Sequence, residues 1–423
     1  SNLPENHIWY NNCPRIYPIQ LYISDIIFQR PLRFRPFKGI FFCPKQKAFD
    51  TFGPTPRFAP NRHHFPTRIS KNMDLLTGIK IIDFTRLLPG PVATCLLAQM
   101  GAEVIKIESP KRMDYARLNG KQVDNAGILF HQLNHHKTLK TIDYTTPDGR
   151  AAIFEMVKNA DVLIEQFRPG AMQSWGLGYE PARRVNPAIV YVSITGYGQN
   201  GSHATEAGHD VNYLARAGLL SLLKDEKGKP TIPDAQFADV GGAYMAVMAT
   251  QSALLKKCRT GAGSYVDVSL CDAVLPFMAV PYSFQAGGMD YRKYNIINGK
   301  LAVNYAVYEC SDGKWISVGA LELKFWNQLC DALEKPDWQR QSQRDLLNEV
   351  FPRSAVESFF KTRPRDYWVE LVEGLDVCLT PVLELEELET CPYHQSKQNF
   401  TEFQTPNGAI LKGFGMPFKI SPE

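Results

Sequence analysis

From Met73 onward, short apolar runs alternate with stretches whose apolar residues recur at helical spacing. Ile79 to Phe84 (IKIIDF) predicts a buried strand, Pro91 to Met100 a helix opened by proline in its first turn, and Glu103 to Ile107 a second strand. The same alternation predicts a strand at Leu139 to Tyr144, a helix at Gly149 to Asn159, strands at Asp161 to Phe167 and Ala188 to Thr195, and a helix near Gly242 to Lys256. Strands separated by helices and short loops imply parallel pairing through right-handed crossovers, an α/β layered domain. The pattern changes after Asn304: Tyr305 to Cys310, the turn Ser311-Asp312-Gly313 and Trp315 to Val318 form a hairpin signal. Helical stretches at Leu323 to Ala332 and Pro364 to Glu373 follow, so a smaller α+β domain is predicted near 290 to 390.

Residues 1 to 72 break this picture. They carry ten of the 29 prolines and eleven Lys/Arg against three acidic residues, with no sustained period. Such a segment has too little apolar area to offset the entropy of ordering, and it is expected to be disordered or extraneous to the fold, with Met73 as the functional start. An organellar transit peptide is the alternative, although no clear amphipathic helix accompanies the arginines. The segment also explains the net charge of +4: it holds +8, leaving −4 on the body, so a whole-protein case for nucleic-acid binding fails. Nine cysteines without a CxxC pair read as free thiols in a reducing compartment and argue against a zinc or disulfide framework. No apolar run reaches the roughly 18 residues of a membrane span.

The most informative stretch is Ala207-Gly208-His209-Asp210-Val211-Asn212-Tyr213-Leu214, where an imidazole and a carboxylate stand together after a glycine-rich turn. Proton transfer near neutral pH calls for such a pair, and a hydrogen-bonded structural histidine is the alternative. Asp239, in an apolar and small-residue setting at the mouth of a predicted helix, is either a functional carboxylate or a cap for backbone amides. Glu322 lies between a strand and a helix, where favourable interaction with the helix dipole is the plainer reading. Gly196-Tyr197-Gly198-Gln199-Asn200-Gly201 fits G-x-G-x-x-G, yet no apolar helical face follows it and no acidic residue ends a second strand, so nicotinamide-cofactor binding is not expected. Glycines that let main-chain N–H groups approach a ligand remain the expectation there.

The segments GIKIIDFTRLLPGPVAT, LLAQMGAEVIKIE, DVLIEQFRPGAM, SITGYGQNG, AGHDVNYLARAGLL, FADVGG, VGALELKFW and CLTPVLELEEL resemble the family III CoA-transferases (CaiB/BaiF-like), and within them the α-methylacyl-CoA racemase branch. The resemblance runs from about Leu75 to Phe418. It implies a Rossmann-like large α/β domain at 73 to 289, a small α+β domain at 290 to 390, a return segment at 391 to 423 and an interlocked homodimer. Such proteins usually continue into a further C-terminal helix, so the chain is expected to be truncated.

The resemblance also implies chemistry. The substrate would be an acyl-CoA, with coenzyme A arriving as part of the thioester; no tightly bound cofactor, metal, nucleic acid or membrane is expected. His209 and Asp239 would be the two acid/base groups on opposite faces of the thioester α-carbon, with Glu322 orienting the histidine. Asp210 matches the nucleophile of the transferases, which makes CoA transfer between carboxylic acids the alternative reaction, and an inactive CoA-binding protein a further one. CoA contacts would fall on Ile142, Asp143, Tyr144 and Thr145, on Gln166, Phe167, Arg168, Pro169, Gly170 and Ala171, and on Gly196, Tyr197, Gly208, Val211, Asn212 and Tyr213. Ser109 and Thr145 stand where the family often has a basic residue, and Lys111, Arg112 or Lys137 is expected to compensate. Tyr282, Phe284 and Met289 are expected at the acyl pocket. Fatty acid metabolism and a cytoplasmic location, or a mitochondrial or peroxisomal one in a eukaryote, complete the expectation.

Overall fold

The computed structural model describes residues 74–291, 302–341 and 353–420. The expected N-terminal extension and its boundary at Met73 lie outside the described residues, which all belong to the unit Phe65–Glu423. Six parallel strands form the main sheet: β1 (Lys80–Asp83), β2 (Glu103–Glu108), β3 (Thr138–Thr141), β4 (Val162–Glu165), β5 (Val190–Thr195) and β6 (Ser264–Ser269). Their spatial order is β3-β2-β1-β4-β5-β6. This is the doubly wound order, in which the direction of winding reverses between β1 and β4 and leaves a crevice beyond their carboxyl ends.

Period-2 alternation sorts the strand residues onto two buried faces. Ile81, Val162, Ile164, Val190, Val192 and Ile194 pack in one core, and Ile82, Leu163 and Tyr191 in the other. Both faces are covered, which is why these strands read as apolar runs. The helices around them are α1 (Pro89–Gln99), α2 (Ile128–Asn134), α3 (Pro147–Val157), α4 (Ala171–Ser174), α5 (Tyr179–Val185), α6 (Asp210–Arg216), α7 (Phe237–Thr260) and α8 (Ala279–Ala286). The buried side of α7 is made of small residues, Ala238, Gly241, Gly242, Ala246 and Ala253 among them. An added Cβ at Gly242 would stand 2.2 Å from Leu270 Cδ2, so close packing there requires glycine.

Two expectations change at element ends. The helix expected at Gly242 to Lys256 starts earlier, at Phe237, because Asp210 caps it from another part of the chain. The strand expected at Leu139 to Tyr144 ends at Thr141, and the chain turns with the Tyr144 N–H donating to the Ile142 carbonyl. The edge strand β6 was not expected, because its first residues (SYVD) are only partly buried and carry no apolar run.

The hairpin signal is borne out by β7 (Tyr305–Glu309) and β8 (Trp315–Gly319), which with β9 (Leu379–Pro381) make an antiparallel sheet in the order β9-β8-β7. Helices α9 (Leu323–Ala332), α10 (Arg353–Phe360) and α11 (Arg365–Leu371) share its separate core, built on Ile316, Val318, Trp326, Leu329, Phe360 and Trp368. After α12 (Pro392–Lys397), the hairpin β10 (Phe400–Gln404) and β11 (Ile410–Phe414) lies against the main sheet's helices. Gln99 Nε2 donates to the Phe414 carbonyl at 3.1 Å, and the His135 ring stacks on Phe403 at 3.8 Å.

Candidate active site

The loops leaving β1 and β4 meet at the switch point. Gln166 ties them together: its Oε1 accepts the Gly90 N–H at 2.8 Å and its Nε2 donates to the Arg86 carbonyl at 3.0 Å. Glu165, buried at the end of β4, accepts the Ser193 hydroxyl at 2.5 Å and the Phe167 N–H at 2.7 Å. Burial pushes its carboxyl up to about 7. Phe167 stands edge-on to Trp175 with ring centroids 4.9 Å apart, and Tyr144 joins the same cluster at 5.3 Å from Trp175. The Tyr144 side chain is wholly buried, so it supports this region by packing. Ile142 packs beside it, and Asp143 is held down at about 2, first by the Thr145 hydroxyl and then by Lys111. Arg168 is exposed, Pro169 partly so, and Gly170 adopts φ +85° just before Ala171 opens α4. The two expected CoA segments, Ile142 to Thr145 and Gln166 to Ala171, therefore share one sheet edge through the Tyr144 and Phe167 rings, 6.5 Å apart.

A second limb leaves β5. The glycine run turns at Gly198 and Gly201, both at positive φ, but the next helix, α6, begins only at Asp210, so no helix opens on the glycines. Space beside Gly196 and Gly208 is taken by the Tyr213 ring: an added Cβ would lie 2.6 Å and 2.8 Å from its Cε1. The close approach that requires glycine here is to Tyr213, whose hydroxyl donates to the Gly208 carbonyl at 2.6 Å. Tyr197 stands edge-on to Tyr213 at 5.2 Å. His209 is the exposed N-cap of α6, and its N–H donates to Asn212 Oδ1 at 3.1 Å. Val211 is half-buried.

Asp210 links the limb to α7. Its Oδ1 accepts the N–H groups of Ala238 at 2.7 Å and Asp239 at 3.1 Å, in the first turn of that helix. Asp239 thus stands next to a second carboxylate in a half-buried position. Burial and then Asp210 push its carboxyl up to about 6. Tyr213, pushed up to about 12 by burial and further by Asp239, is also within the field of Arg168, which opposes the shift. The β4 loop, α6 and α7 accordingly converge on Tyr213.

Glu322 is located elsewhere in the chain. It is the N-cap of α9, its carbonyl accepts the Phe325 and Trp326 N–H groups at 3.0 and 3.2 Å, and its side chain is exposed. Among the described residues, no hydrogen bond joins it to His209. Tyr282 and Met289 are exposed in and just after α8, with Phe284 partly covered.

Lys137 needs a correction. It is not available as a phosphate ligand: its side chain is wholly buried, and Nζ bonds Thr94 Oγ1 at 2.7 Å, Asn134 Oδ1 at 2.9 Å, the Pro91 carbonyl at 3.1 Å and Asp83 Oδ2 at 3.2 Å. Lys111 is paired with Asp143, whereas Arg112 lies over the Trp175 ring at 4.9 Å. Glu165 was not singled out from the sequence, although a carboxylate closing the apolar run DVLIE was the available signal. No group of three or more potential metal ligands occurs among the described residues, and no helix among them is long and apolar enough to cross a membrane. The seven described cysteines are free.

Comparison with known proteins agrees with this architecture. Residues 76–423 match the model of CoA-transferase family III. The chain is 30% identical over 329 residues to alpha-methylacyl-CoA racemase of Homo sapiens, covering 77% of this chain and 82% of that protein. It is 32% identical over 330 residues to the Homo sapiens succinyl-CoA:glutarate CoA-transferase, covering 76% and 75%. A crystal structure of a CAIB/BAIF family protein from Brucella suis superposes with a TM-score of 0.70 at 27% identity, over 83% of this chain and 93% of that one. Sheet order, sequence motifs and these matches lead to one conclusion: the chain belongs to CoA-transferase family III.

Proposed function

We propose that the protein is a racemase that inverts the α-carbon of a 2-methylacyl-CoA by two-base proton transfer. One base removes the α-proton and the C–H electrons pass into the thioester as an enolate; the protonated second base returns a proton to the opposite face. His209 and Asp239 are the two bases in this reading. The observation that carries it is the Asp210 bridge, which docks the His209-Asp210 segment on the first turn of the helix that bears Asp239. Burial and Asp210 push the Asp239 carboxyl up to about 6, so this group can hold a proton far closer to neutral pH than an ordinary aspartate and can serve as acid as well as base. Main-chain N–H groups at the start of α6 are the candidate donors to the enolate oxygen.

Coenzyme A, the carrier part of the substrate, would be held by the segments Ile142 to Thr145 and Gln166 to Ala171 and by Gly208, Val211, Asn212 and Tyr213, with Arg168 facing phosphate. It supplies the thioester carbonyl that makes the α-proton acidic. A homodimer belongs to the same proposal: Tyr244, Met248, Leu275, Phe277, Val280 and Tyr282 are large, exposed apolar residues on and after α7, a surface a second copy would cover. Glu322 would meet the histidine in that assembly.

CoA transfer through Asp210 is the second reading. It is supported by the free Oδ2 of Asp210, which makes no hydrogen bond among the described residues, and by the transferase among the relatives. The variants His209→Ala and Asp239→Ala separate the readings. As single bases, each should lower inversion by about 10²–10⁴-fold while CoA affinity is retained. Full inversion in either variant would refute the two-base assignment.

A further inference from the structure

The segment that leads into His209 is held by its side chains. Between Gly201, at φ +102° with open space beside it, and Gly208, the chain has neither strand nor helix. Its main-chain hydrogen bonds are local: the Ala204 N–H donates to the Gly201 carbonyl at 3.3 Å and the Glu206 N–H to the His203 carbonyl at 2.9 Å. Three side chains tie this segment to α6. Arg216, in the last turn of α6, donates from Nη1 to His203 Nε2 at 3.0 Å and from Nη2 to Glu206 Oε2 at 3.0 Å, while His203 Nδ1 meets Glu206 Oε1 at 2.6 Å. The guanidinium lies over the Tyr197 ring at 5.2 Å, and the His203 ring stands 6.4 Å from the same ring.

A guanidinium only donates and an ionised carboxylate only accepts, so these neighbours fix the state of the ring: Nε2 is the acceptor, Nδ1 carries the proton, and the imidazole is neutral. A second proton, on Nε2, would set two donors face to face and break the contact with Arg216. Glu206 faces His203 from its own segment, Arg216 from α6 and Tyr197 from the turn after β5. The Glu206 carboxyl is lowered, first by the His203 hydrogen bond. Each of these solvated pairs is weak alone, but one planar fork engages both partners at once and rests on a ring that fixes its plane. His209 is thus held from both sides. After it, Asp210 is bonded to the first turn of α7 and Asn212 Oδ1 accepts the His209 N–H; before it, the cluster fastens Glu206, three residues upstream.

We propose that His203, Glu206 and Arg216 are positioning residues for His209: they latch the segment 201–208 to α6, and the latch closes only while the His203 imidazole is neutral. Among the described residues, no hydrogen bond joins the three to the coenzyme A segments after β3 and β4, so the latch acts on turnover more than on affinity for coenzyme A. The positioning role rests on the reading of His209 as a catalytic base.

Hydrogen-exchange mass spectrometry of the full chain reads the latch without substrate, and the rate of α-deuterium incorporation into a 2-methylacyl-CoA reads its consequence. Arg216→Ala and Glu206→Ala should speed exchange at residues 201–208 and lower kcat for incorporation by about three- to ten-fold, with coenzyme A affinity within about two-fold of the parent. Glu206→Gln, which keeps an acceptor for the ring, should recover most of the loss. In the parent, exchange of the segment, corrected for its intrinsic rate, should rise as pH falls from about 8 to about 5, and His203→Gln should lack that step. Unchanged protection of 201–208 in both Ala variants would overturn the latch, whatever the reaction catalysed. Loss of coenzyme A affinity in step with kcat, or a large fall in thermal stability, would overturn the positioning role in favour of binding or packing. The same pH step in His203→Gln would overturn the requirement for a neutral ring. Absence of α-deuterium incorporation by the parent protein would overturn the racemase reading and the positioning role with it, while the exchange measurement judges the latch separately.

Discussion

At residue scale the main feature is a pair of carboxylates with different tasks. Asp210 accepts two main-chain N–H groups at Oδ1, while Asp239 lies half-buried beside it and is pushed up to about 6. Its folded value is above the 3.8 of an ordinary aspartate, so the folded state binds the proton more tightly. The stability this confers is full below about pH 4 and is lost as pH rises through about 6. Asp239→Asn should therefore be more stable than the parent at pH 8 by on the order of 1–3 kcal/mol, a difference that disappears below pH 4. Urea unfolding across pH measures it, and identical pH slopes in both proteins would contradict the shift. His209-Asp210 was legible because both residues lie in one glycine-bounded motif. The cap it provides was not, since acceptor and donor are 28 residues apart and only the fold brings them together.

Elements with a strong period were read nearly to the residue: α9 is found at Leu323–Ala332, and β4 and β5 lie within the predicted runs. Edge strand β6 and the short β9 carried no such signal, because half-exposed strands lack an apolar run. The element that positions chemistry most directly is the end of β4, where Glu165 holds the Phe167 N–H and so fixes the loop carrying Arg168. Glu165→Ala would leave that N–H and the Ser193 hydroxyl without their acceptor, a cost of about 1–3 kcal/mol for each group that stays unsatisfied. Hydrogen exchange at the Phe167 amide should accelerate, and the denaturation midpoint should fall. Unchanged protection at Phe167 would mean that the loop is held by something else.

At the scale of the whole molecule, one core lies on each face of the main sheet and another under the antiparallel sheet, and a buried ionic network joins β1 and β2 to the segment after α2. Lys137 with Asp83, and Lys106 with Asp114 at 2.9 Å, are all wholly buried. Removing one partner strands its counter-charge, so Lys137→Met should destabilise by about 3–5 kcal/mol, read as a lower denaturant midpoint with the slope unchanged. A shift below 1 kcal/mol would show that the network is better solvated than its burial implies. The exposed apolar surface around α7 and α8 makes a related claim: sedimentation at micromolar concentration should find a dimer, and Tyr282→Glu should weaken it. A parent protein that sediments as a monomer would contradict that assembly. A parallel α/β layer was legible from the strand and helix alternation, whereas the doubly wound strand order and the inward direction of Lys137 were not, because alternation does not fix which strands are neighbours and a lysine in sequence carries no mark of burial. The central claim is proton transfer at the thioester α-carbon, and the most direct measurement is incubation of a single-enantiomer 2-methylacyl-CoA with the protein in deuterated water, with and without a free carboxylic acid. The account predicts deuterium at the α-carbon with loss of chirality, independent of the acid and without a hydroxylamine-trappable adduct. Retained chirality with exchange of the acyl group onto the added acid would contradict it and identify Asp210 as a nucleophile.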